Sequence, residues 1–294
     1  MGEHLFDHVR THLEQGIEDR VAYIRAPRWI GYSIAKDALT RLDDLLARPP
    51  GLRPNGLMIV GPYANGKTMI AERFAVNHLK IAPPSQQKVW IIQTREGAGL
   101  THFYSSILQA LKAPFGTSHS VHRKAEQIDH LFQRVKPRIL IFDEFHNALR
   151  GRAKDTESVF SFLRRIGRQY DISCVLIGDV SVYDAINATT EMASRFDVHA
   201  VARWRYNDDY LTLLDSLEAA IPLAQGSNLS DEPIARRIYE LSEGLIGQIS
   251  EIVTKAAIEA LRSGKERISQ SAINKLCHIP VSTRRQALLR DQLL

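Results

Sequence analysis

The stretch Gly61-Pro62-Tyr63-Ala64-Asn65-Gly66-Lys67-Thr68 constrains this chain more than any other. It fits the pattern G-x-x-x-x-G-K-[ST], and its flanks are the ones that pattern needs. The apolar run Leu57-Met58-Ile59-Val60 before it suits a buried strand, and residues 69–80 after it read as a helix. A strand, a glycine loop and a helix in that order turn backbone N–H groups inward, toward phosphate oxygens. The helix N-terminus adds partial positive charge. In that frame Gly61 and Gly66 let the backbone curl, while Pro62, Tyr63, Ala64, Asn65 and Met69 complete the cradle. Lys67 is expected to place a compact cation on the β- and γ-phosphates of ATP, and the Thr68 hydroxyl to ligate Mg²⁺.

Three further apolar runs follow: Val89-Trp90-Ile91-Ile92, Ile139-Leu140-Ile141-Phe142 and Cys174-Val175-Leu176-Ile177. Helical faces lie between them, one carried by Phe103, Tyr104, Ile107, Leu108 and Leu111, another by Val159, Phe160, Phe162, Leu163 and Ile166. Wholly apolar strands alternating with amphipathic helices argue for an α/β fold, a parallel sheet flanked by helices on both faces. After about residue 205 the strand signals stop. Tyr210, Leu213, Leu214 and Leu217 share a helical face, and Ile249, Ile252, Val253, Ala256, Ala257 and Ala260 form a stripe at i, i+3, i+4, i+7. The expected organisation is an N-terminal helical extension and linker over 1–55, ending in the breakers Pro49-Pro50-Gly51 and Pro54-Asn55-Gly56. An α/β nucleotide-binding domain over 56–205 follows, then a helical lid over 206–278 and a loosely held tail over 279–294 containing Arg284, Arg285 and Arg290.

Composition narrows the function less. A formal net charge of +5 is compatible with a polyanionic partner such as DNA without demanding one. Cys174 and Cys277 have no zinc or disulfide spacing, and a reducing cytoplasm fits them. No apolar stretch approaches the ~18–20 residues of a membrane span, so no membrane association is expected. Residues 1–20 are charged throughout and show no signal-peptide core. The histidines show no metal spacing; His119 and His122, beside Arg123 and Lys124, read as a polar loop.

The second chemical signal is Asp143-Glu144, directly after an apolar strand. A carboxylate at the end of a buried strand is costly unless something positive meets it. Asp143 is expected in the Mg²⁺ shell, and Glu144 is expected to polarise the attacking water. A third is Asp179, after the strand ending at Gly178, since ligands bind at the ends of parallel strands. Trp29, Ile30 and Tyr32 admit two readings, part of an adenine pocket or helix packing.

Together these stretches resemble the AAA+ ATPases of transposons, specifically the TniB family, relatives of TnsC. The matching residues are Pro27-Arg28-Trp29, the 61–68 loop, Asp143-Glu144-Phe145-His146-Asn147, Ala193-Ser194-Arg195-Phe196 and Ser242-Glu243-Gly244-Leu245-Ile246-Gly247. They span the chain from about residue 25 to 280. The loop and the acidic pair are generic to P-loop ATPases; the Asp-Glu-Phe-His-Asn run and the Gly-Leu-Ile-Gly turn point to this family. The resemblance implies a P-loop NTPase of AAA+ fold that binds ATP and assembles as rings or helical filaments on duplex DNA. It also implies a link between a target-selection protein of the TniQ kind and a DDE transposase, in bacterial cytoplasm. It makes Asp179 resemble the γ-phosphate sensor, Arg195 the arginine finger that serves a neighbouring subunit (with Arg203 and Arg205 as rivals), and Gly247 part of the lid turn near nucleotide. Many AAA+ lids carry an arginine just after that turn; here the place holds Gln248, which implies slow turnover coupled to assembly. A helicase loader or replication initiator, and a DNA-independent interaction switch, remain the alternatives.

Two basic regions are candidates for DNA. Arg150, Arg152 and Lys154 precede a helix whose Arg164, Arg165 and Arg168 lie opposite its apolar face, where solvated arginines are an equal reading. By resemblance to TnsC-like assemblies, Lys88, Arg95 and Thr101 would meet the phosphate backbone. Such contacts carry no base information, so little sequence preference is expected.

Overall fold

The computed structural model describes residues 2–49, 55–79, 87–97, 99–284 and 286. In chain order the helices are α1 (Asp7–Arg10), α2 (Ile17–Arg25), α3 (Ser33–Ala47), α4 (Lys67–Leu79), α5 (Leu100–Ala110), α6 (Val121–Val135), α7 (Ala153–Tyr170), α8 (Val180–Asn187), α9 (Thr190–Ala193), α10 (Asp208–Ala219), α11 (Glu232–Ser242), α12 (Ile246–Arg262) and α13 (Gln270–Lys275). The strands are β1 (Gly56–Val60), β2 (Val89–Gln93), β3 (Ile139–Asp143), β4 (Ser173–Gly178) and β5 (Phe196–Ala200). The chain divides into two compact units, residues 34–202 and residues 1–33 with 203–294.

The first unit is built on one sheet with strand order β2-β3-β4-β1-β5, every pairing parallel. The register pairs Gln93 with Asp143, Val60 with Gly178, and Val60 with Ala200. The strands therefore all end at one edge, and whatever follows each strand is gathered there. β1, β3 and β4 are buried along their whole length, which explains their unbroken apolar runs. β5 departs from the four strands read in the sequence. It is an edge strand in which only Phe196 and His199 are buried, so Asp197 and Val198 can face outward. A second departure is α6, which occupies the region read as a polar loop. Ser120 caps it by accepting from the Arg123 N–H at 3.2 Å, and Ile128 and Phe132 bury its apolar face. His122, Arg123 and Lys124 are therefore helical. The end of β3 rests on an aromatic cluster: Phe103 stacks on Phe142 at 5.0 Å, and Phe145 meets both edge-on at 6.2 Å.

α3 packs with this unit. Asp37 Oδ2 lies 3.1 Å from Nδ1 of the buried His199, and Arg48 donates to Asp171 Oδ1 at 2.6 Å.

The second unit is helical. Val21 and Ile24 of α2 join Tyr210, Leu214, Ile249 and Ile252 in its core. Asp231 stands at the N-cap position of α11 without a side-chain cap bond, with a proline in the first turn, and Ser269 caps α13 by accepting from the Ala272 N–H at 3.3 Å. Arg20 is 6% exposed and donates to the Pro222 carbonyl through Nε at 3.1 Å and to Glu266 Oε1 through Nη1 at 3.0 Å. Ile30 and Tyr32 pack against the same core, Tyr32 edge-on to Trp204 at 5.1 Å, so for these two the packing reading holds. The tail is docked as far as Arg284: the Ser282 N–H donates to Glu243 Oε1 at 3.3 Å, and the Arg284 N–H to the Pro280 carbonyl at 3.1 Å. Arg285 and Arg290, like Lys80 at the end of the helix read over 69–80 and the breakers 50–54, lie outside the described residues.

Candidate functional site: a phosphate cradle at the sheet edge

The 61–68 loop leaves β1 where Gly61 crosses the chain beyond β5. A Cβ on Gly61 would stand 2.2 Å from the Val201 carbonyl oxygen, so no larger residue fits. Gly66 has φ +83, a left-handed value that glycine adopts without strain. Asn65, 1% exposed, clamps the loop by donating from Nδ2 to the Val201 and Ala202 carbonyls, each at 2.7 Å. Tyr63 and Ala64 form the exposed crest. Lys67 is the first residue of α4 and its side chain folds back into the loop. Nζ donates to the Gly61 carbonyl at 2.8 Å and the Pro62 carbonyl at 2.7 Å. Burial pulls its ammonium below the ordinary lysine value, against the opposing pull of Glu144, Asp143 and Asp179. Those three carboxylates come from the ends of two other strands, so the loop and both strand ends share one electrostatic neighbourhood.

Thr68 Oγ1 donates to Asp143 Oδ2 at 2.8 Å, and Asp143 is 1% exposed. Its other oxygen accepts the Glu144 N–H at 2.9 Å. A hydroxyl beside a buried carboxylate, next to a lysine in a glycine cradle, fits a Mg²⁺–triphosphate. Mg²⁺ ordinarily takes one or two protein ligands and completes its octahedron with phosphate oxygens and water. Among the described residues no group of three or more His, Cys, Asp or Glu side chains is placed to hold a metal. Glu144 takes φ +50 as the chain turns out of β3 into the 3-10 helix Phe145–Leu149, and its Oε2 lies 3.3 Å from His146 Nε2. Asp179 caps α8: Oδ1 accepts the Ser181 N–H at 2.9 Å. Its carboxyl is held below the ordinary value first by the Ser181 hydroxyl, with His146 and Lys67 adding to the effect against burial.

The remaining expected site residues lie elsewhere. Arg195 precedes β5, and its carbonyl accepts the Gly56 N–H at 2.7 Å. It therefore stands at the opposite edge of the sheet from its own loop, a strand length of roughly 16 Å away. Its side chain is 10% exposed, with Nη2 3.4 Å from Glu191. Trp29 and Gly247 belong to the helical unit, Trp29 half-buried and Gly247 in the first turn of α12. Gln248 is buried, donates to Glu251 Oε2 at 3.1 Å and accepts from Arg284 Nη2 at 2.5 Å. The Arg284 guanidinium thus reaches Gln248 from 36 residues away, where no local motif could announce it.

Of the basic residues considered for DNA, two groups converge. Arg150 Nη1 lies 3.9 Å from Glu96, and a Cβ on Gly99 would be 3.3 Å from Asp155 Oδ1. Arg95 and Glu96 thus adjoin Arg150, and Gly99 adjoins Asp155 in the first turn of α7, which also carries Lys154. Arg95, Arg150, Arg152 and Lys154 are exposed. Lys88 precedes β2 and sits at the other edge, its carbonyl accepting from Ile139 N at 3.0 Å. The arginine face of α7 is neutralised: Arg164 pairs with Glu157 at 2.6 Å, and Arg165 with Asp129 at 2.8 Å.

The chain resembles known proteins in two ways. In solved structures it is similar to Cdc6p from Pyrobaculum aerophilum, with a TM-score of 0.60 and 16% identity over 84% of this chain and 67% of that one. The Aeropyrum pernix ORC2 protein, solved as ADPNP–ADP complexes, gives 0.59 and 17% over 81% and 65%. The ORC1 protein of the same organism, solved in complex with DNA, gives 0.57 and 14% over 92% and 70%. The chain spans about two thirds of the length of each. At such identities the likeness shows the fold, that of AAA+ P-loop ATPases. No curated relative matches the sequence. The sequence profile described as "Bacterial TniB protein" matches residues 20–206, most of the chain and all of the cradle, so this AAA+ chain belongs to the TniB family.

Proposed function

We propose that the chain is an ATP-dependent regulator of DNA transposition that assembles on duplex DNA and connects target selection to a DDE transposase. The observation that carries the nucleotide part is the convergence of Lys67, Thr68, Asp143 and Glu144 at one sheet edge; family membership carries the transposition part. Lys67 binds the β- and γ-phosphates, and Thr68 and Asp143 hold Mg²⁺, which when bound neutralises charge on the triphosphate. Glu144 orients and deprotonates the attacking water, and Asp179 stands at the strand end nearest the γ-phosphate. Arg195, a sheet's depth from its own loop, serves a neighbouring subunit. Trp29 and Gly247 are further nucleotide contacts on this reading. Hydrolysis is slow and coupled to assembly, and a TniQ-type protein supplies the target. The exposed cations Arg95, Arg150, Arg152 and Lys154, with Thr101, meet phosphates; Lys88 does so only on a separate surface.

The structural likeness to Cdc6p and the ORC proteins favours a second reading, an initiator or helicase-loader role, which shares the ATP and DNA chemistry and differs in the partner.

The deciding experiment is binding of the full chain to labelled duplex DNA with ATP, with ADP and without nucleotide, by mobility shift and electron microscopy. ATP-dependent rings or filaments are expected, with affinity falling steeply as salt rises because phosphate contacts release counterions. No association in any nucleotide state at low salt overturns the DNA role and leaves the nucleotide-driven interaction switch. A flat salt response overturns the phosphate-contact assignment.

A further inference from the structure

His146 has a place that its neighbours explain but no duty in the fold. Phe145, fully buried against Phe142 and Phe103, anchors the start of the 3-10 helix, so the next residue is fixed relative to the end of β3. His146 Nε2 lies 3.3 Å from Glu144 Oε2. Nδ1 is buried and has no hydrogen-bond partner among the described residues. It faces the end of β4: a Cβ built on Gly178 would be 3.6 Å from both Nδ1 and the His146 backbone nitrogen. His146 also acts electrostatically on Asp179, the residue after that glycine. The imidazole therefore lies between the two strand ends whose carboxylates flank Lys67. It caps no helix, and its burial without a partner on Nδ1 costs stability, about 1–3 kcal/mol for such a group.

Resting on the reading of Glu144 as general base, we propose that His146 is its positioning residue, holding Oε2 from the β4 side so that Oε1 is the oxygen that accepts the proton of water. The carboxylate faces Nε2, so a neutral ring carries its proton there and leaves Nδ1 as an acceptor. Displacing a base by about 1 Å can cost about 100-fold in rate.

The test uses the full chain with steady-state ATP hydrolysis, fluorescent-nucleotide affinity and thermal unfolding for His146→Ala, His146→Gln and Glu144→Gln. His146→Ala is expected to lower kcat about 10–100-fold, with KM and nucleotide affinity near those of the wild type and an unfolding temperature no lower. His146→Gln, whose amide can still donate to the carboxylate, is expected to recover most of the rate. Nitrogen-15 histidine NMR on the nucleotide-free chain is expected to show the Nε2–H tautomer, changed in Glu144→Gln. Unchanged turnover in His146→Ala beside an inactive Glu144→Gln overturns the His146 role alone. So does a loss of affinity and stability together without rescue by Gln, or an Nδ1–H tautomer. Normal turnover in Glu144→Gln removes the base itself, and the role of His146 with it.

Discussion

The clamp made by Asn65 can be tested quantitatively, because its amide nitrogen ties the loop to the chain beyond β5. Nδ2 reaches two carbonyls, Val201 and Ala202, both at 2.7 Å, from a side chain only 1% exposed. Asn65→Ala removes both donations. Each is worth about 1 kcal/mol net, and a carbonyl left buried without a donor adds about 1–3 kcal/mol unless water reaches it. The sum is about 2–5 kcal/mol, the low end applying where water reaches the carbonyl, and it must appear in one of two places. If the loop stays closed in the mutant, the loss appears as reduced stability of the sheet unit, read as a lower urea midpoint. If the loop opens while the sheet persists, the cradle is formed only part of the time and apparent affinity falls by that fraction. A cost of about 2 kcal/mol then weakens nucleotide binding about 30-fold. Asn65→Asp keeps the shape but sets a carboxylate against two carbonyls and near the phosphates, so it is expected to be worse than Ala on both measures. The assay is a fluorescent-nucleotide titration paired with urea unfolding on the same samples. An unchanged urea midpoint together with affinity within twofold of wild type would refute the view that this amide holds the cradle.

Two further expectations concern the helical unit and the proposed role of Arg195 in trans. Arg20→Ala strands Glu266 with a partly buried charge and should destabilise by about 3 kcal/mol, since removing one partner of a buried pair leaves the other uncompensated. Burial alone would raise the Glu266 carboxyl, but Arg20 and the Ala224 N–H outweigh it and hold it below its ordinary value. Its contribution is therefore present above the unfolded value of about 4.3 and lost as pH falls through the lower folded value. Without Arg20 burial acts unopposed by the guanidinium, so the stability gap between wild type and mutant should narrow on going from pH 7 to about pH 4; urea midpoints that stay equally far apart would contradict this. For Arg195, mixing Arg195→Ala subunits with Glu144→Gln subunits should restore ATP turnover above that of either alone, because each supplies what the other lacks; no recovery in the mixture would sink a role in trans.

What could be read in the sequence and what could not divides along the distance over which residues meet. The cradle was legible because phosphate binding demands fixed residue types at fixed spacing, and Leu57-Met58-Ile59-Val60 advertises the strand that must precede it. Asp143-Glu144 was legible for the same reason, as an acidic pair closing a fully buried run. β5 was not: Phe196-Asp197-Val198-His199-Ala200 lies at the sheet edge, where polar residues are tolerated, and the buried His199 meets Asp37, a residue of α3 far away in the chain. α6 was obscured by its polar first turn, where Lys124 is fully buried yet donates to Ser105 Oγ at 3.0 Å and lies over the Phe115 ring. A lysine there reads as solvent-facing until its partner is known. Arg20 misleads in the same way, since its carboxylate partner is 246 residues away. The helical wheel of α7 does not show the ion pairs of its arginines: Arg165 meets Asp129 on α6, and Arg164, only 17% exposed, meets Glu157 two turns back on α7 and Glu191 on α9. Local pattern sets the elements; the meaning of a charge is set by whichever distant element it meets.

That principle bears hardest on Arg195. All five strands run parallel, so the cradle, the acidic pair and Asp179 share one edge of the sheet, and the residue entering β5 is at the other. No rearrangement of side chains carries a guanidinium across a strand length of roughly 16 Å when the side chain itself extends about half that. If Arg195 acts on a triphosphate, the triphosphate belongs to another subunit. Its present partners sharpen the point. Glu191 also accepts Arg164 at 3.4 Å and lies 3.9 Å from Arg168, so one carboxylate is shared by several cations. Arg195 can leave it for a phosphate without stranding Glu191, since the other arginines remain. The exchange costs the exposure of a side chain now 10% accessible and gains a more highly charged anion. On the proposed reading, an arginine stored in this way would need an assembled neighbour to draw it out, and turnover would then depend on assembly.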